Sequence, residues 1–490
     1  MSERAEVVVL GAGFGGLAVA HRLACDGIDD VLILERDDGV GGTWRANRYP
    51  GAACDVPSHL YSLSFAPNPD WSSAYASQAE ILDYIEACYE RFDLRRRVRT
   101  GTAVTSAEWD EGTGWWTVRD AGGGEYVARV VVSAVGMFNT PKYPDIGGLD
   151  RFDGPVVHSA RWDDDVELAG RRVAVVGTGA SAIQLIPPVA ERADHVDVYQ
   201  RSAPWVLPRR NRPYSAEERE RFGTDPVEMG DHRRQLYEML ESTTLFIRDD
   251  PLAATLASVS RQYLEDEVPD VGLREQLVPT HPFGCTRVLI SDDYYPALGR
   301  DDVEVVTTGI DRITPGGIRT TDGTERPADV IVLCTGFTAA DYLPGIDVRG
   351  RDGEELHDRW GGVPCAYHGL AVPGFPNFFM LYGPNTNQGG NSILLMLEAQ
   401  SQFVAAAIEA TREANATWMD VTPEAMADYE RQLRDDLSAT IWAGGCTTYF
   451  HTPAGDIVTQ LPHKSGWYVK ATDAIDLAHV TFGGGPCTTS

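Results

Sequence analysis

The chain opens on a short apolar run, residues 6–10, that ends in a cluster of glycines. Such a run predicts a buried parallel strand. A helical period follows to about residue 25, and a second apolar run, 31–34, ends at Glu35. Residues 80–93 carry apolar side chains at helical spacing. Residues 102–109, 115–119 and 126–135 then alternate apolar and polar between Gly-rich turns, which predicts a three-stranded meander. The plan recurs further on. Residues 172–176 lead into a second glycine cluster, a helix follows, and 196–199 reads as a strand. Residues 303–306, 310–313, 317–320 and 328–334 form another run of short strands, closing on Thr335 and Gly336. Two copies of one plan predict an α/β chain with two Rossmann-like dinucleotide-binding domains, each with a meander.

The pattern is interrupted in three places. The loop 41–55 is rich in Gly, Pro and aromatic residues and predicts ordered, non-helical chain over a cofactor. Residues 214–278 read as a helical insertion opened by a capping box, Ser215 with Glu218. It would serve as a lid or pocket wall, or as a purely structural addition. The tail returns as a strand at 377–382, a loop, and a long helix opened by Asn391 and Ser392. Thr422 and Pro423 start another helix. The aromatic, Gly-rich stretch 442–468 could line a pocket or simply pack. The resulting division is 1–145 with 337–490 for the first domain, 146–213 with 279–336 for the second, and 214–278 for the insertion.

Of the 490 residues, 43% are hydrophobic and 23% charged, which suits globular domains rather than disorder. A formal net charge of −30 argues against nucleic acid or an anionic membrane as partner. The eight cysteines show no Cys-x-x-Cys pair and no metal spacing, so they read as reduced thiols of a cytoplasmic protein without a metal site. The missing pair also speaks against a disulfide reductase. The N-terminus runs straight into a strand, leaving no room for a signal peptide, and no apolar run reaches the length of a membrane span.

The glycine clusters carry the chemistry. Gly11, Gly13, Gly15 and Gly16 sit between a strand and a helix, and Glu35 ends the next strand. Backbone N–H groups at such a turn meet a pyrophosphate, and the acid accepts from a ribose diol. In the second copy the turn is Gly177-Thr178-Gly179-Ala180-Ser181-Ala182, and Gln200 stands at the register of Glu35 with Arg201 and Ser202 after it. Loss of the acid and gain of an Arg favour a 2′-phosphate. The first fold therefore predicts FAD, the second NADPH. Val104 and Asn391 are added to the FAD set and Gln184 to the NADP set.

Between the two folds lies Phe152-x-Gly154-x-x-x-His158-x-x-x-Trp162-Asp163. This pattern resembles the fingerprint of type I Baeyer–Villiger monooxygenases, a group of flavin-dependent monooxygenases, and the likeness covers most of the chain. The loop with Thr43, Trp44 and Asp55 resembles the family's second signature, and 282–287 is similar to the segment that brings in its active-site arginine. The resemblance implies that Thr43, Trp44, Asp55 and Tyr61 lie on the flavin side. It implies that Arg287, held by Asp55, stabilises a flavin C4a-peroxy anion that attacks a ketone to give an ester or lactone. His158 and Trp162 would act at the hinge. Two departures stand out. Thr286 replaces a common Lys, weakening the case for NADPH over NADH, and Gln388-Gly-Gly390 replaces a stretch that usually holds a His.

The sequence leaves other readings open. A flavin enzyme that oxygenates sulfur or nitrogen shares most features, although Trp162 and Asp163 favour the ketone reading. An NADPH oxidase releasing hydrogen peroxide, or a non-catalytic flavin sensor, would carry the same folds. The particular ketone and the oligomeric state are not legible.

Overall fold

The computed structural model of the protein describes residues 3–243, 247–446 and 448–485. Two sheets frame it, the first mixed and the second parallel throughout. In the first, Glu3–Leu10 lies between Val31–Leu34 and Glu125–Ser133, parallel to both. Val31–Leu34 is buried throughout, because a strand covered on both faces has no polar side to present. The far edge of Glu125–Ser133 is shared. Trp115–Asp120 pairs antiparallel with its first half, and Phe378–Met380 pairs parallel with its end. Val104–Asp110 and then Asp347–Arg349 extend the sheet beyond Trp115–Asp120. The tail thus completes the sheet that the N-terminus begins.

The second sheet runs Val303–Val306, His195–Tyr199, Arg172–Val176, Val330–Leu333 and Val156–His158, all parallel. Residues 303–306 therefore belong to the nucleotide sheet and not to a run of hairpins. The antiparallel partners are Ile310–Thr314, Gly317–Thr320 and Glu325–Pro327. The last is three residues with two charges and a proline, which carries no alternation to read. In the loop 41–55, a single helical turn, Thr43–Ala46, corrects the expectation of non-helical chain.

The capping box at Ser215 and Glu218 is present, and four helices follow or flank it: Ala216–Thr224, Pro226–Thr243, Pro251–Glu267 and Val271–Gln276. They are not one body. Phe222 and Met229 join the core of the first sheet, whereas Leu264, Val268 and Leu277 join that of the second. The helix Ile393–Glu413 is long and apolar enough to cross a membrane by composition, with mean hydropathy 1.3. It is a core helix here: 61% of that window is buried, and Leu394, Phe403, Val404 and Ile408 pack with Leu17 and Leu23.

The cysteines depart from expectation. Cys285 and Cys446 form a disulfide across 161 residues, with Cα atoms 5.7 Å apart. Sequence spacing offers no signal for a pair so distant. Cys25, Cys54, Cys88, Cys334 and Cys365 are free, and Cys487 lies outside the described residues.

Candidate functional site

The two glycine turns superpose in logic, residue by residue. Gly11 N–H donates to Leu34 and Gly177 N–H to Tyr199, each reaching the last residue of the neighbouring strand. Both glycines take positive φ, 103° and 111°, and a Cβ on either would strike the carbonyl oxygen of the closing strand's end, Ala134 or Cys334, at 2.8 or 2.5 Å. Only glycine fits there. The next glycines do the opposite. A Cβ at Gly179 would meet nothing within 4 Å, and one at Gly13 would find only Gly42. Each turn therefore presents bare backbone to open space at the N-terminus of a helix, Phe14–Cys25 or Ala180–Ala190, where a phosphate binds.

The registers agree with the sequence reading. Glu35 N–H donates to Arg99 and Gln200 N–H to Val306, so the two side chains hold equivalent places. Glu35 is buried and accepts from the N–H groups of Ala12, at 2.7 Å, and Asp37, at 2.9 Å. Burial raises its pKa, and those two donors oppose the rise. Gln200 is buried too. Its amide donates to Gln276 at 2.8 Å while its Oε1 has no partner in the protein. Arg201 and Ser202 beside it are exposed.

Both turns open on one cavity of about 2910 Å³. That is roughly three times the upper end for a drug-sized ligand, room for two dinucleotides and a substrate. With two exceptions, Gly16 and Ala182, every residue ascribed to FAD or NADP lines it, Val104 and Ser202 included. The donors, the acid and the space fit the two cofactors. Asn391 lines the cavity, but its amide is engaged by Glu241 at 2.8 Å and Ser465 at 3.3 Å.

On the cavity wall, Asp55 and Arg287 meet. Both Nε and Nη2 of Arg287 donate to Asp55 Oδ2, at 2.9 and 2.6 Å. Asp55 ends the loop of the first unit, and Arg287 comes from the second. Each side chain keeps 28% exposure, into the cavity. Asp55 raises the Arg287 pKa further above its ordinary value, against burial, which lowers it. The site thus holds a permanent cation pinned on one side and open on the other. Tyr61 accepts from Trp44 Nε1 at 3.1 Å nearby.

The same loop grips the second unit directly. Tyr49 donates to Gln184 Oε1 at 2.9 Å, and the Gln184 amide donates to Ala53 O at 3.0 Å. Burial pushes the Tyr49 phenol up to about 12, so it remains a donor. Gln184 therefore joins the two units as well as lining the cavity.

The fingerprint residues lie outside the cavity wall, and His158 sits beside the crossings between the units. It ends the edge strand, is buried, and lies tilted against Tyr143 and edge-on to Phe337, from the two crossings between units. The crossings are tied by Lys142 N–H to Gly336 O and by Thr335 to Lys142 O. His158 Nδ1 accepts from Ala160 N–H at 3.1 Å, and burial lowers its pKa, so the ring is neutral near neutrality. Trp162 is buried in the second core, and Asp163 accepts from Asp165 N–H. A Cβ at Gly154 would lie 2.3 Å from Asp329 O and 2.8 Å from the Phe152 ring. Gly154→Ala is expected to lower stability by about 1–3 kcal/mol, read by thermal unfolding.

Sequence reasoning missed the far wall. Tyr382 has φ 58°, unusual for a non-glycine, and donates to Asn387 Oδ1 at 2.6 Å. Asn385 and Asn387 bond to the 457–461 segment, and Gln388 Oε1 is buried without a partner. The Asn-rich run 385–391 and the aromatic stretch 442–468 were the local signs.

The chain is similar to known proteins over nearly its whole length. The pyridine nucleotide-disulphide oxidoreductase family pattern matches residues 8–221, which carry both glycine turns and no Cys-x-x-Cys pair. A Baeyer-Villiger monooxygenase of Pseudomonas aeruginosa is 42% identical over 460 residues, 93% of this chain and 87% of that protein. Among solved structures, an oxidized steroid monooxygenase bound to NADP matches with TM-score 0.87 and 34% identity, covering 98% of this chain and all of that one. An OTEMO complex with FAD and NADP matches with TM-score 0.87 and 29% identity, over 96% of this chain and 98% of that one.

Proposed function

The chain belongs to the Baeyer–Villiger monooxygenases, and from that premise we propose how its own residues divide the work. It is an FAD-dependent, NADPH-consuming monooxygenase that inserts oxygen into ketones, giving esters or lactones. The flavin, reduced by NADPH, supplies the oxygen chemistry, and the protein supplies position and charge.

In this reading residues 1–145 and 337–490 hold FAD, and 146–213 and 279–336 hold NADPH. Gly11, Gly13 and Gly15 present N–H groups to the flavin pyrophosphate, and Glu35 takes the ribose diol. Gly177, Thr178 and Gly179 do the same for NADPH, with Arg201 and Ser202 on the 2′-phosphate. Arg287 is the catalytic cation: it places a fixed positive charge beside the reacting atoms, where it is worth more than in water. Asp55 keeps that guanidinium in one orientation, as a partly buried Arg needs. Tyr382 and Asn387 line the same cavity and would shape the ketone's place. His158 and Trp162 stiffen the hinge and touch no substrate.

The observation that carries this reading is the Asp55–Arg287 pair, supplied by two different units and set in the cavity that both glycine turns share. Its test is product analysis: purified protein with NADPH, air and a panel of linear, cyclic and steroid-sized ketones. Ester or lactone matching NADPH consumed is expected. Full conversion of NADPH to hydrogen peroxide with every ketone would overturn it. A sulfide in the panel tests whether sulfur is also oxygenated. Arg201→Ala is expected to raise KM for NADPH by about 10- to 100-fold, the worth of a charge-assisted contact, and to leave NADH nearly unchanged.

A further inference from the structure

We propose that the Cys285–Cys446 disulfide is a positioning device for the reaction, which fixes the outer wall of the ketone site against Arg287. The inference rests on the functional reading above. Cys285 is buried and stands two residues before Arg287. The segment around it is anchored from behind in the second unit. Phe283 packs edge-on against Trp205, 5.3 Å between ring centroids, and Trp205 Nε1 donates to His281 O at 2.9 Å. Thr286 and His281 are also within hydrogen-bond distance, at 3.0 Å.

Cys446 belongs to the tail. The turn Ile441–Ala443 precedes it, held by buried Trp442 among Leu433, Leu437 and Phe450. Trp442, Cys446, Thr286 and Arg287 all line the main cavity. A Cβ on Gly284 would lie 3.7 Å from Ile441 Cδ1, so the segments are already in van der Waals reach. No hydrogen bond or ion pair joins 282–287 to 440–446 among the described residues. The disulfide is therefore the strong tie between a substrate-side wall and the segment that carries the cation. Arg287 is located from two directions: by Asp55 through an ion pair, and by Cys446 through the chain next to it.

The Cα separation of 5.7 Å lies within the usual span of a disulfide. Forming it removes two electrons and two protons from two thiols. Hydrogen peroxide suffices as oxidant: one molecule takes both and leaves as two waters. Turnover without a ketone would release that peroxide beside these thiols. Loss of the tie frees the wall, and a reacting pair misplaced by about 1 Å loses rate steeply.

The test uses the full-length holoenzyme. Thiols are counted in denaturant without reductant, and two fewer than the eight cysteines of the sequence are expected. Cys285→Ser and Cys446→Ser, and wild type treated with a thiol reductant, are then compared with untreated protein. In all three, kcat/KM for a good ketone should fall about 10- to 100-fold and peroxide per NADPH should increase. The rate of flavin reduction by NADPH should stay the same, which a general loss of structure would not allow. Amide hydrogen exchange across 440–446 should quicken. Eight thiols in the untreated protein would overturn the proposal, and so would unchanged kcat/KM and exchange in the reduced protein. If untreated protein makes no ester from any ketone, the functional reading fails. The thiol count and hydrogen exchange then still decide whether the tie exists and holds the wall.

Discussion

Arg287→Ala should leave a yellow, FAD-loaded protein that NADPH still reduces, yet ester formation should fall by at least about 100-fold. The two halves of that expectation have different sources. In the proposed reading flavin and nicotinamide are held by the glycine turns, Glu35 and Arg201, none of which bonds to Arg287. In the same reading oxygen transfer depends on charge at one place, and Arg287 is a cation on the shared cavity wall locked to an opposite charge at 2.6 Å. Removing it also leaves Asp55 as an unpaired carboxylate in the cavity, so the local field changes sign rather than merely weakening. Arg287→Lys should recover only part of the loss. An ammonium keeps the charge but cannot reproduce the paired Nε and Nη2 contacts to one carboxylate oxygen. The measurements are flavin absorbance, the anaerobic rate of flavin reduction, and ester per NADPH. Near-normal ester yield from the alanine variant would remove Arg287 from the chemistry.

Asp55→Ala separates the two contributions. It leaves the cation but unpins it, and a free guanidinium in a cavity of this size can turn away from the flavin. A smaller loss than Arg287→Ala is expected, with more peroxide per NADPH.

The nucleotide folds were legible because everything that defines them is local. Strand, glycine turn, helix and acid follow one another within about one βαβ unit, so the register of Glu35 and Gln200 could be set from sequence and is reproduced by the hydrogen bonds of both strands. The Asp55–Arg287 pair was reached only through resemblance, since nothing in spacing links two residues 232 apart. The rest of the site is long-range in the same way. Asn385 and Asn387 find their partners in the 457–461 segment, Cys285 finds Cys446, and Asn391 finds Glu241. Helical periodicity located the insertion but could not say that its two halves serve different cores, because period reports a buried face and not what covers it.

Gly16→Ala should yield a chain without bound FAD, while the corresponding residue of the second turn is alanine already. A Cβ at Gly16 would fall 2.1 Å from Gly11 O and 3.3 Å from Tyr89 Oη, and the first of these is backbone that cannot swing aside. Relief requires Phe14–Cys25 to back away from the strand end, which moves the N–H groups of the turn off the pyrophosphate. The second turn tolerates Ala182, buried in its own core, with the same first glycine geometry at Gly177. The two helices therefore approach their strands differently, and the flavin turn is the tighter one. Loss of a close helix–strand contact of this kind costs about 1–3 kcal/mol or more in packing before any cofactor is considered. Flavin content after purification and gel filtration reads the outcome directly. Stoichiometric FAD in Gly16→Ala would mean that the helix can shift without moving the phosphate site. The closeness of the first turn would then be a packing feature alone.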